Sequence, residues 1–176
     1  CLESVAFAHE IIVVDSGSTD ETVEIARAMG AKVTVTSDWP GFGPQKNRAL
    51  DQATGDWVLS IDADERVTPE LAQLIQQEIA QPQGTAYRIA RLSEFAGRWM
   101  RHSGWWPDRV LRLFKRGTAR FNEAKVHESV QTTAPVLTLE GHFLHYPYAS
   151  LEVFIDKINR YSSDAARQMQ AKGKTT

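Results

Sequence analysis

The chain has 176 residues, 42% of them hydrophobic and 24% charged, with a net charge of −2. That suits one ordinary domain, long enough to bury a core without covalent staples. The balance of charge argues against a general nucleic-acid binder, the single cysteine excludes an internal disulfide framework or a cysteine-rich zinc site, and no apolar run is long enough to span a bilayer.

The opening Cys1-Leu2-Glu3-Ser4-Val5 reads as the last turns of a helix, and the other end runs out in the tail of an amphipathic helix. Both ends therefore read as cuts in a longer protein. Residues 10–15 form a β-branched run ending in Asp15, which suits a strand buried on both faces of a parallel sheet. Ser18 and Glu21 have capping-box spacing, predicting a helix that carries Val23, Ile25, Ala26 and Met29 and stops at Gly30. A second strand is predicted over 31–35, a loop over 38–44, a short helix over 45–53, and a third buried strand over 57–61. Thr68 then caps a helix with Pro69 at its first position and Leu71, Leu74, Ile75 and Ile79 on its buried face. This alternation predicts an α/β fold with a mostly parallel, Rossmann-like sheet and helices on both faces.

Beyond residue 84 the pattern changes. Shorter strands are predicted over 87–92, 110–114, 126–130, 136–139 and 143–146, broken by Gly97, Gly104, Gly117 and Gly141, giving a mixed and partly antiparallel second half. A last helix over 150–171 bears Leu151, Phe154, Ile155, Ile158, Tyr161 and Ala165 on one face, expected to pack on the domain.

Two predicted strands end in carboxylates, Asp15 and the pair Asp62 and Asp64. Ligands of open α/β sheets bind at the carboxyl ends of strands. In Asp62-Ala63-Asp64 alternate carboxylates flank a small side chain, an arrangement that lets Mg²⁺ or Mn²⁺ bridge protein oxygens to a diphosphate. Asp-x-Asp also arises in ordinary surface turns, and its position after the apolar run 57–61 is what favours a functional reading.

With Ile12-Val13-Val14-Asp15-Ser16-Gly17-Ser18-Thr19-Asp20, Lys46-Asn47-Arg48-Ala49 and Leu59-Ser60-Ile61-Asp62-Ala63-Asp64-Glu65, the chain resembles a family-2 glycosyltransferase of GT-A fold. Trp106-Pro107-Asp108-Arg109, Leu111-Arg112-Leu113-Phe114-Lys115, Val126-His127-Glu128 and His145-Tyr146 narrow the resemblance to the bacterial branch that adds glucose to the lipopolysaccharide inner core. The family's first strand, expected ahead of Cys1, is missing from this sequence. The resemblance implies a single domain over 1–176, with a nucleotide-sugar half (1–84), an acceptor and catalytic half (85–149) and a closing helix (150–172). It implies a UDP-sugar donor, a glycan or lipid-linked acceptor, no nucleic acid, and a cytoplasmic protein peripheral to the inner membrane.

Roles follow residue by residue from the resemblance. Asp15, Ser16, Lys46, Asn47 and Asp62 are expected at the nucleotide sugar, although Asp15 equally suits a turn and Lys46 a solvated helix face. Asp64 is expected to ligate Mg²⁺ or Mn²⁺, with His145 as a second ligand, and Glu65 to point outward. Glu128 is the candidate general base of an inverting transfer, with Glu123 and Asp108 next in line. His127, Trp105, Trp106 and Asp108 are candidates for the acceptor, beside Arg101 and His102. His142 reads as structural, and Trp39, Trp57 and Trp99 as packing. The basic end of the last helix, with Arg167, Lys172 and Lys174, suits an anionic lipid surface. The alternatives are a phosphatase of the haloacid-dehalogenase type, disfavoured by Arg66 after the motif, and a non-catalytic sugar-nucleotide-binding domain.

Overall fold

The computed structural model describes residues 1–123, 128–148 and 150–171. A 3₁₀ turn at Leu2–Val5 leads into β1 (Ile12–Asp15), α1 (Thr22–Ala28), β2 (Lys32–Val35), α2 (Phe42–Leu50), β3 (Trp57–Leu59), β4 (Glu65–Val67) and α3 (Pro69–Ala80). The second half holds β5 (Ala86–Phe95), β6 (Arg98–Trp99), β7 (Asp108–Lys115), β8 (Ala119–Phe121), β9 (Val130–Thr132), β10 (Leu137–His145) and α4 (Leu151–Ala171). β1 and β2 pair in parallel as a two-stranded sheet, and β8 and β9 form an antiparallel pair. The main sheet has six strands in the order β3-β7-β5-β10-β4, with β6 pairing on β5.

β5 sits at the centre because its sequence is apolar on both faces: Ala86, Tyr87, Ile89, Ala90 and Leu92 are all buried. α3 starts as its sequence predicts, with Thr68 Oγ1 accepting from Leu71 N–H at 3.2 Å and Pro69 following the cap. Leu71 and Ile75, four residues apart, face the sheet and pack in one cluster with Leu139 and Phe143 of β10. Fully burying each such side chain contributes about 1.5–3 kcal/mol.

The pairing differs from the expected parallel sheet. β3 does not join β1; it pairs antiparallel with β7, and the main sheet's one parallel ladder is β5–β10. A buried β-branched strand reads the same whichever way its neighbour runs, so the sequence left direction open. The capping box is also not formed. Ser18 Oγ donates to Asp15 Oδ2 instead, at 2.5 Å, and α1 begins at Thr22 without a side-chain cap. α2 begins three residues earlier than predicted, since Pro44 in its first turn needs no N–H partner.

Two bulges shape the sheet. Gly141 does not end a strand: β10 runs through it, with the register shifting between Thr138 and His142. Its φ of +92° favours glycine, and a Cβ there would lie a tight 3.3 Å from Leu71 Cδ1. In β7, Tyr87 faces Leu113 and Arg88 faces Leu111, leaving Arg112 as the extra residue.

The last helix departs most from expectation. Phe154 packs edge-on to Phe95 and Tyr148, but Leu151, Ile155 and Ile158 remain exposed. The side chains of Tyr161, Ala165 and Arg167, and residues Lys172 and Lys174, lie outside the described set. Among the described residues no helix is long and apolar enough to cross a membrane.

Candidate active site

The acidic motif sits in a tight turn between β3 and β4. Glu65 N–H donates to the Asp62 carbonyl at 3.0 Å, and Asp62 N–H donates to Glu65 Oε2 at 2.9 Å. Glu65 therefore does not point outward as expected. It faces in with Val67 on alternate positions of β4, and its side chain is fully buried. Its other oxygen, Oε1, accepts from Arg112 Nη2 at 2.8 Å, and Arg91 Nη1 stands 3.5 Å away. The bulge in β7 is what brings Arg112 to this place. The Arg112 carbonyl accepts from Ser60 N–H at 2.8 Å, so the bulged strand also holds the entry to the turn.

Asp62 is gripped from two sides, by Arg112 Nη2 at 2.6 Å and Lys46 Nζ at 2.7 Å. Burial opposes its ionisation, but Arg112 and then Lys46 outweigh that and hold its carboxyl far below the usual carboxylate range. Lys46 also reaches Glu128 Oε1 at 2.7 Å, so one ammonium joins the strand-end motif to the candidate base.

Asp64 Oδ2 lies 3.6 Å from His145 Nε2. The ladders explain why: His145 stands opposite Glu65 in β4 and beside Ser93 in β5, and Tyr146 N–H donates to the Asp64 carbonyl at 2.8 Å. Ser93 Oγ contacts His145 Nδ1 at 2.9 Å, fixing the ring with Nε2 toward Asp64, as outer partners orient metal-binding histidines. Burial raises the Asp64 pKa while His145 more than offsets it, leaving it below the ordinary value. No cluster of three or more metal-binding side chains exists among the described residues. A carboxylate with an imidazole fits a hard cation only where substrate oxygens complete its shell.

Asp62, Asp64, Lys46, Arg112, Glu128, His145 and Arg91 all line one cavity of about 910 Å³. Lys46, Asp62 and Ala63 also line a neighbouring, more apolar hollow of about 540 Å³ together with Ser16, Trp39 and Phe42. Trp39 is thus no packing residue; it is 53% exposed at this hollow, edge-on to Phe42.

The other expected site residues have partners within the fold. The Asp15 carboxylate accepts from Gly17 N–H and Ser18 N–H, both at 2.8 Å, and from Ser18 Oγ, and this holds its pKa below the usual range. These are the bonds a turn aspartate makes. Asn47 is buried between α2 and β8: Nδ2 donates to the Phe121 carbonyl at 3.0 Å and Oδ1 accepts from Phe121 N–H at 3.1 Å. A side-chain amide matches a peptide group, so Asn47 joins α2 to β8. Trp105 packs on Phe95 with ring centres 5.9 Å apart, and Trp106 stands edge-on to His142 at 5.5 Å. Neither lines the cavity. Asp108 accepts from Arg91 Nε at 2.9 Å and so acts through that arginine. His127 lies outside the described residues.

The fold is that of the GT-A class, which a solved structure shares. *Staphylococcus aureus* TarS 1-349 in complex with UDP-GlcNAc superposes with a TM-score of 0.62 over 85% of this chain and 54% of that one, at 21% identity. The model of glycosyl transferase family 2 matches residues 1–137, and the chain belongs to that family. An uncharacterised glycosyltransferase of *Rickettsia typhi* is 35% identical over 94% of this chain and 60% of its own length. The lipopolysaccharide core biosynthesis glycosyltransferase LpsC of *Rhizobium meliloti* is 33% identical over 99% of this chain and 67% of its own. The chain thus spans about 60% of the length of the first curated relatives it matches. Membership of this family sets the phosphatase alternative aside.

Proposed function

We infer that this chain carries the catalytic centre of an inverting transfer of a sugar, probe donor UDP-glucose, from a UDP-sugar to a lipopolysaccharide-core or similar glycan. The observation that carries the reading is the convergence of Asp62, Asp64, His145, Lys46 and Glu128 on one cavity. Its two ends divide the work. At one, Asp64 and His145 would hold Mg²⁺ or Mn²⁺, which supplies charge neutralisation for the departing diphosphate. At the other, Glu128 takes the proton of the acceptor hydroxyl as its oxygen attacks the anomeric carbon and the bond to the diphosphate breaks. Lys46 restrains Asp62 and Glu128, and Arg112 keeps Asp62 ionised beneath the donor. The name of the *Rhizobium* relative supports the acceptor class. The exposed Leu151, Ile155 and Ile158 support contact of α4 with the lipid surface that bears such an acceptor.

Two variants test the division. Glu128→Gln keeps shape but loses the base, so kcat should fall by about 10²- to 10⁴-fold with UDP affinity unchanged. Asp64→Ala should lose Mn²⁺-supported UDP binding as well as turnover. Transfer kinetics across a Mn²⁺ titration, beside calorimetry of UDP, reads both. Near-normal kcat in Glu128→Gln would remove the base from this site.

A further inference from the structure

A second and larger hollow, of about 1090 Å³, opens beside the catalytic cavity and shares Arg109, Leu111 and Val130 with it. Its lining holds four arginines, Arg88, Arg109, Arg116 and Arg120, and one carboxylate, Asp51. Asp51 is already neutralised by Arg120, through contacts of 2.6 and 3.0 Å. Arg116 Nε donates to the Gly55 carbonyl at 2.7 Å. Arg88 and Arg109 are exposed and have no ion-pair or hydrogen-bond partner recorded among the described residues.

The register explains why these two guanidiniums belong together. Arg88 stands opposite Leu111 and Arg109 opposite Ala90, so both lie on one face of the β5–β7 ladder as diagonal neighbours. Two like charges so placed repel each other, and an anion between them removes the repulsion. This surplus is local, since the whole chain carries a net charge of −2. The two hollows meet at Arg109, Leu111 and Val130, and Val130 is two residues from Glu128, the base that meets the acceptor in the transferase reading.

We propose that Arg88 and Arg109 bind an anionic substituent of the acceptor glycan, a phosphate or a sugar carboxylate, and so select acidic over neutral acceptors. The proposal rests on the transferase reading for the word acceptor, but the binding site itself does not need turnover. Guanidinium suits both oxyanions, because its planar fork meets two oxygens at once. The donor diphosphate is held elsewhere in that reading, beside Asp64 and His145.

The test is a titration of the ¹⁵N-labelled protein with glucose 6-phosphate, glucuronate and glucose, reading amide shifts in β5 and β7 by NMR. The two anionic sugars should move the amides around Arg88 and Arg109, and glucose should not. Affinity for the anionic sugars should drop at least about tenfold in Arg88→Gln/Arg109→Gln. Whichever anion binds tighter tells phosphate from carboxylate. UDP with Mg²⁺ is titrated in parallel, reading the amides of Ala63 and Asp64. Unchanged anion affinity in the double variant, or equal binding of glucose, overturns the proposal. So does arginine-dependent binding to phosphatidylglycerol vesicles when the sugars do not bind. Failure of UDP to move Ala63 and Asp64 would instead count against the transferase reading alone.

Discussion

Arg112 has a side chain only 6% exposed, and it faces two carboxylates, one of which is fully buried. Its Nε is buried with no hydrogen-bond partner among the described residues. Removing the guanidinium strands Glu65 as an uncompensated charge, with Arg91 at 3.5 Å its remaining cation. Arg112→Leu should therefore cost about 3–5 kcal/mol in urea unfolding, while Glu65→Leu/Arg112→Leu should recover most of that loss. A double variant no better than the single one would show that the pair is not the source of the cost. Asp62, Asp64, Lys46, Glu128 and His145 were legible in the sequence, because carboxylates at strand ends and a familiar motif order single them out. Arg112 and Glu65 were not. The available signal was an arginine inside the apolar run 110–114, since a buried cation demands a buried anion, but spacing alone did not say which one.

At the scale of elements, α2 is tied to β8 by a side-chain amide. Both polar ends of Asn47 bond the backbone of Phe121 in β8, 74 residues away. Asn47→Ala would orphan a buried N–H and a buried carbonyl, and should cost at least about 2 kcal/mol in stability. UDP affinity in the folded variant should stay at the wild-type value, as calorimetry can check; a large loss of affinity at normal stability would return Asn47 to the donor site. Element types were readable from period and caps, as Thr68-Pro69 at the start of α3 illustrates. Pairing partners were not. The direction of β3 depends on β7, and the continuity of β10 through Gly141 depends on how closely α3 approaches. Such facts belong to two segments at once and leave no mark in either alone.

For the molecule as a whole, the depressed carboxyl groups predict an acid-sensitive fold. Asp15, Asp62 and Asp64 all sit below their ordinary values, Asp15 through Ser18, Asp62 because Arg112 and Lys46 outweigh burial, and Asp64 because its contact with His145 does. A group whose folded pKa is depressed contributes stability above its unfolded pKa and loses it as pH falls through the folded value. These three contributions should be complete at pH 6 and fade below about pH 4, the unfolded value for aspartate. Urea midpoints between pH 6 and 2.5 give the measurement. Asp62→Asn should flatten the acid limb, and an unchanged slope would show that Asp62 does not drive it.

In this chain the ladder of β1 and β2 has a kinetic meaning. Their ladder is four residue pairs long and bonds to no strand of the six-stranded sheet, whereas β5 is paired along both edges. A ladder this short, with no strand pairing to the six-stranded sheet of this chain, should open before that sheet does, so its amides should exchange with deuterium well before those of β5. Ser16 follows directly on β1 and lines the hollow shared with Lys46 and Asp62. A donor occupying that hollow binds the closed ladder and not the open one, so UDP with Mg²⁺ should slow exchange in β1 and β2 and leave β5 untouched. The nucleotide would then stiffen the wall it touches, and the β1–β2 ladder of this chain would report on its arrival.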